Sequence, residues 1–107
     1  MSRLTVDWAM AARDDLEGIA SYIAEDSVAA AVAAVERIEA RASSLATTPM
    51  RGRLVPELRW HGVTRFRELV EWPWRTVYCT DAKRVLVVGV LDGRRSLEDL
   101  LLDRLVR

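Results

Sequence analysis

Five arginines, Arg65, Arg67, Arg75, Arg94 and Arg95, recur through the stretch from Thr64 to Arg95, with Glu68 and Asp92 among them. Guanidinium groups carry a permanent charge and present forked donors that match phosphate and carboxylate oxygens. Held on one small sheet, they could aim positive charge at a partner such as a nucleic acid. Any acid–base chemistry there would also need one group to take up a proton and another to release one. Arginine supplies neither. The residues left for that work are Asp92, Glu68, Tyr78 and His61. Each has a plainer reading: the carboxylates pair with neighbouring arginines, Tyr78 packs in a strand, and His61 lies on the surface of a connector.

Other chemistries lack their residues. No glycine-rich phosphate or dinucleotide loop is present, no Cys/His cluster has zinc-ligand spacing, and no serine sits in a nucleophile elbow. No metal and no cofactor is expected. The lone cysteine, Cys79, falls in an apolar strand pattern, where a small buried side chain is the simpler reading than a reactive thiol. Trp60, Trp72 and Trp74 lie near arginines and could stack on bases. The competing reading places Trp72 and Trp74 at a turn, closing a small core, with Trp8 in the core as well.

A chain of 107 residues, half of them apolar, suits one domain spanning residues 1–107. The apolar runs at residues 28–35 and 85–91 are far shorter than the roughly 20 residues of a membrane span, and no secretory signal is visible, so a cytoplasmic protein with no membrane partner is expected. The formal net charge of zero conceals an asymmetry. Residues 1–48 carry four arginines against eight acids, and residues 49–107 carry twelve basic residues against eight acids. The basic half is the half with the arginine-bearing sheet.

The elements that must position these residues are legible in the periodicities. Leu4, Val6 and Trp8 alternate with Arg3, Thr5 and Asp7, predicting a first strand. Leu16, Ile19, Ala20 and Ile23 predict an amphipathic helix over about Met10 to Ala24. Asp26 or Ser27 can cap a second helix, whose stripe Val28, Val32, Val35, Ile38, Ala42 and Leu45 continues until Pro49 stops it. So short a connection makes the two an antiparallel hairpin. Residues 50–62, with Gly52, Pro56 and Gly62, read as an irregular connector.

Three strands follow. Val63 to Glu71 places Phe66 and Val70 on one face and Arg65, Arg67 and Leu69 on the other, with the alternation loosening near Glu68. Arg75 to Thr80 comes after a Trp72–Trp74 turn, and Val85 to Leu91, apolar throughout, reads as a central strand in which Gly89 marks a bulge or a close approach. Ser96 with Asp99 resembles a capping box for a final short helix. Its apolar residues, Leu101, Leu102, Leu105 and Val106 among them, exceed what a small monomer can bury, which assigns part of that helix to a partner chain.

Taken in order, the words SYIAED after the first helix, AAAVAAVERIEA in the second, RGR before the connector, RELV, PWRTVY and VLVVGVLDGRR resemble the RelE/ParE superfamily of type II toxin–antitoxin toxins over nearly the whole chain. The resemblance implies a small α+β fold, β-α-α-β-β-β with a short C-terminal helix, in which a helical hairpin packs on an antiparallel meander. It also implies a cognate antitoxin as partner, in a hetero-oligomer or beside a second toxin copy. RelE-like members cut messenger RNA on the ribosome without a metal; ParE-like members inhibit DNA gyrase and lack the catalytic set. Arg65 and Arg67 resemble the basic pair of the first meander strand, Arg75 the arginine opening the next, and Arg94 or Arg95 the one after the last strand. The tyrosine or histidine that RelE-like members usually carry near the C-terminus is absent from residues 96–107, and Asp92 stands where many relatives have histidine. The expectation is therefore a ParE-like, non-enzymatic toxin acting on gyrase. The alternative is a ribosome-dependent endoribonuclease whose catalytic residues would be Arg65, Arg67, Arg75, Arg94, Arg95 and Asp92.

Overall fold

The computed structural model describes residues 3–98, 101 and 104. Strand β1 (Thr5–Trp8) leads into helix α1 (Met10–Ala24) and helix α2 (Val28–Ser43), which ends in a 3-10 turn, Ser44–Ala46. Ser27 accepts the Ala30 N–H at 3.1 Å, satisfying one of the donors that a helix start leaves free. There follow β2 (Arg53–Leu54), α3 (Pro56–Arg59), β3 (Phe66–Glu71), β4 (Trp74–Thr80) and β5 (Arg84–Asp92). Leu97, Glu98, Leu101 and Arg104 have helical backbone, as the final helix requires.

All five strands form one sheet in the order β1-β5-β4-β3-β2. The meander β3-β4-β5 is antiparallel, and β1 pairs parallel to β5 with Val6 opposite Val85. The α+β architecture agrees with the expectation, and the parallel edge strand adds to it. One face packs on the hairpin through Ala12, Ala42, Leu45, Leu69, Tyr78, Val85 and Val87. A neighbouring cluster joins Ile19 and Ile38 to Trp74 and Val90. The opposite face is covered by Val55 and Leu58 from α3 and its approach, and by Leu97 and Leu101 from the C-terminal segment; these enclose Phe66, Val77 and Leu91.

Three local expectations are corrected. The connector at residues 50–62 is not irregular: it contributes β2, which pairs Arg53 with Glu68, and the single-turn helix α3 opened by Pro56. Elements of two and four residues are too short to show a period, although proline at a first helical position is a start signal. The strand expected from Val63 begins at Phe66, and its alternation does not loosen at Glu68. With a period of two, Glu68 lies on the Phe66 face and is 1% exposed, while Leu69 points to the hairpin. Leu101, expected at a partner interface, is 1% exposed, because the second sheet face needs a cover within this chain. Leu102, Leu105 and Val106 lie outside the described residues.

The expected irregularity at Gly89 is a bulge. Val77 pairs with Gly89 and Tyr78 with Val87, so Val88 is the extra residue. Beyond Val87 the β1 edge has run out, and the carboxylate of Asp15 accepts the free Val90 N–H at 3.0 Å. Arg104 Nη1 donates to the same oxygen at 2.6 Å, fastening the C-terminal segment to α1 and β5.

Candidate functional site

Arg75, the second residue of β4, lies on the face away from the hairpin, beside Glu68 of β3 and under α3. Its Nε donates to Glu68 Oε1 at 2.6 Å and its Nη2 to Glu68 Oε2 at 2.8 Å. Its Nη1 and Nη2 donate to the two oxygens of Glu57, each at 2.7 Å. Arg53 Nε completes the chain of charges, 2.7 Å from Glu68 Oε2. Four of the five guanidinium hydrogens of Arg75 are thereby used inside the protein, and the residue is 6% exposed.

Burial alone would weaken the Arg75 proton's hold, but the hydrogen bonds and charges of Glu57 and Glu68 outweigh it and keep the group charged well beyond the ordinary arginine range. The bond from Arg75 holds the Glu57 carboxyl below its usual value, against the opposing effect of burial. Two guanidiniums and two carboxylates cancel, so the centre of this sheet face presents no net charge to a partner.

The other predicted residues are dispersed around this centre. Arg67 Nη1 donates to the Gly52 carbonyl at 2.8 Å, and Arg65 lies over the Phe66 ring with its guanidinium carbon 5.2 Å from the centroid. Arg94 chelates Asp92 through Nε and Nη2, both at 2.9 Å, and also covers the Trp74 ring at 5.7 Å. That side-chain bond holds the Asp92 carboxyl below its ordinary range, which makes Asp92 a poor proton acceptor. Arg95 is exposed near the mouth of a cleft of about 530 Å³ that also gathers Asp14, Tyr22, Trp74, Asp92 and Arg94. Arg75 and Glu68 meet directly; Arg94 and Asp92 form a separate pair at the far end of β5.

Tyr78 is fully buried in the hairpin-side core. Its hydroxyl donates to the Pro49 carbonyl at 2.8 Å and accepts the Gly52 N–H at 2.9 Å. Burial raises the phenol's pKa, only partly offset by the Gly52 N–H and the Arg67 charge. The group is a clamp on the chain entering β2. Tyr78→Phe removes one donor and one acceptor from buried backbone groups, and is expected to lower stability by about 2 kcal/mol in urea unfolding. His61 is exposed and meets Glu98 at 3.0 Å, joining the connector to the C-terminal segment.

Glu57 was the participant that composition did not single out. The signal available was its place in the first turn after Pro56, on an element too short to recognise. Among the described residues no three His, Cys, Asp or Glu side chains converge on a possible metal position, and no helix is long and apolar enough to cross a membrane.

Comparison with known proteins adds an independent line. Residues 6–97 match the family model described as ParE toxin of type II toxin-antitoxin system, parDE. The fold resembles a solved chain from a chromosomal ParDE toxin–antitoxin system of P. aeruginosa, with a TM-score of 0.67 and 20% identity over 84% of this chain and 96% of that one. No curated protein sequence matches the chain.

Proposed function

The chain belongs to the ParE toxin family of type II toxin–antitoxin systems, and from that premise we propose that it inhibits DNA gyrase and is silenced by a cognate antitoxin in the cytoplasm. The observation that carries this reading over messenger RNA cleavage is the internal neutralisation of Arg75. A nuclease of the RelE type would hold that cation open to phosphate, whereas here Glu57 and Glu68 take four of its hydrogens. Two of the acid–base candidates are committed as well, since Asp92 is chelated by Arg94 and Tyr78 spends its hydroxyl on Pro49 and Gly52, while His61 meets Glu98 at the surface. A binding protein needs none of these groups free.

The antitoxin has a fitting surface on the hairpin. Between α1 and α2 runs an apolar groove of about 480 Å³ that includes Ala20, Ala24, Val28, Val32 and Val35, with Glu36 and Glu39 also lining it. Val28 and Val32 are exposed on this chain. The groove suits an amphipathic segment with an apolar stripe and basic flanks.

Gyrase inhibition is tested by adding the purified toxin to supercoiling reactions, and the alternative by primer extension on messenger RNA from arrested cells. Inhibited supercoiling with uncut messages is expected. Codon-phased cuts dependent on translating ribosomes would favour the nuclease.

A further inference from the structure

We propose that Trp60, presented with Arg59 on the tip that follows α3, is the anchor with which this toxin engages its protein target. Trp60 is 81% exposed, the most exposed of the large apolar side chains among the described residues. A lone exposed tryptophan on a frayed loop would mean little, but this tip is rigidly built. The N–H of Arg59 donates to the Val55 carbonyl at 2.9 Å, that of Trp60 to Pro56 at 3.1 Å, that of Gly62 to Arg59 at 2.9 Å, and those of His61 and Val63 both to Leu58 at 3.0 Å. Gly62, at φ 77°, turns the chain out of the helix in the left-handed region that other residues rarely adopt.

Below the tip, Val55 and Leu58 are buried in the second core cluster, and Glu57 is fastened to Arg75 through two bonds of 2.7 Å. The buried charge network thereby fixes the base on which Trp60 stands. A tryptophan on a preorganised backbone beside an arginine is the kind of residue enriched among interface hot spots, because little backbone entropy remains to be lost on binding.

The surroundings define the partner. Between residues 51 and 67 the chain carries five arginines against one acid, Glu57, which is already engaged by Arg75, and Glu98, which reaches this tip from the C-terminal segment, meets His61. Arg59 and Arg65 are exposed there, and neither forms an ion pair among the described residues. The complementary surface is an apolar pocket rimmed by carboxylates. A nucleic-acid strand fits less well, since stacking platforms set successive aromatics along a basic groove. Here Arg75 is withdrawn into the protein, and the other exposed tryptophan among the described residues, Trp72, belongs to a separate element, the turn between β3 and β4. The tip also belongs to the sheet face opposite the hairpin groove, so an antitoxin segment seated in that groove leaves Trp60 uncovered.

The identity of the target rests on the gyrase reading, and the test separates the two. Trp60→Ala and Trp60→Phe are each expressed alone for growth arrest, purified for supercoiling inhibition with gyrase holoenzyme, and co-expressed with antitoxin for complex formation. Trp60→Ala is expected to weaken inhibition about 30-fold, the scale of an interface hot spot, and to abolish arrest while still co-purifying with antitoxin; Trp60→Phe retains most of both activities. Full arrest by Trp60→Ala, or loss of its antitoxin binding, overturns the proposal. So does Trp60-dependent shifting of a labelled single-stranded RNA or DNA oligomer by the wild-type protein. If the wild type arrests growth yet leaves supercoiling intact, the gyrase reading fails, and the Trp60 surface is judged by arrest alone.

Discussion

Replacing Arg75 with methionine is expected to destabilise the fold by about 3–5 kcal/mol, the usual scale for removing one partner from a buried ion pair. The loss comes mainly from what stays behind. Glu68 has no exposed side-chain surface and would keep only Arg53 as its counter-charge. Glu57 would lose the bidentate contact that ties α3 to β4. Arg75→Lys should recover little, since a single ammonium cannot reproduce the forked pattern that serves two carboxylates at once. Adding Glu68→Gln to Arg75→Met should recover part of the loss by removing the stranded charge, and urea unfolding of the four species closes the cycle.

The same network predicts a pH signature. Glu57 titrates lower in the folded chain than its ordinary value of 4.5, chiefly because of the Arg75 hydrogen bond. A carboxylate with a depressed folded pKa contributes stability that is fully present above the unfolded value and is lost as pH falls through the folded one. Stability attributable to this contact therefore holds at neutral pH and declines below about pH 4.5. In Arg75→Met that portion of the acid slope should vanish, which equilibrium unfolding between pH 3 and 7 can read.

Gly52→Ala is the second large effect. A Cβ on Gly52 would lie 2.5 Å from the Glu68 carbonyl oxygen and 2.7 Å from the Tyr78 hydroxyl, closer than such atoms approach. Neither neighbour can yield cheaply, because one is strand backbone and the other is the buried clamp that binds both Pro49 and Gly52. The entering chain must move, taking with it the Arg67 bond to the Gly52 carbonyl and the pairing of Arg53 with Glu68. Overpacking of this kind costs about 1–3 kcal/mol before the broken hydrogen bonds are counted, and a total of about 3 kcal/mol is expected from thermal or urea unfolding. Limited proteolysis should cut the variant first within residues 50–62.

How much of this was legible in the sequence depended on element length. The hairpin and the meander carry runs of six residues or more, and their periods of 3.6 and 2 gave helix α1 its bounds and β5 its central place. The connector defeated the same reasoning, since β2 and α3 owe their existence to tertiary partners: β2 to pairing with β3, and α3 to Leu58 in the second core and Glu57 on Arg75. The arginines themselves could be counted but not oriented. A charged residue inside an apolar strand reads as an exposed position, and only the arrival of Glu57 from a distant turn shows that Arg75 is spent inside the fold. Asp92 was easier to read, because its partner Arg94 is two residues away and the pair closes locally.

The family places this chain among toxins, and the neutralised arginine centre turns the proposal toward binding instead of catalysis. Relaxed plasmid, purified gyrase and ATP, titrated with toxin that arrests growth when expressed, test that claim most directly. The account predicts that supercoiling falls as toxin exceeds gyrase and returns when the toxin is first mixed with its antitoxin. Undiminished supercoiling at tenfold molar excess of such a toxin would contradict it.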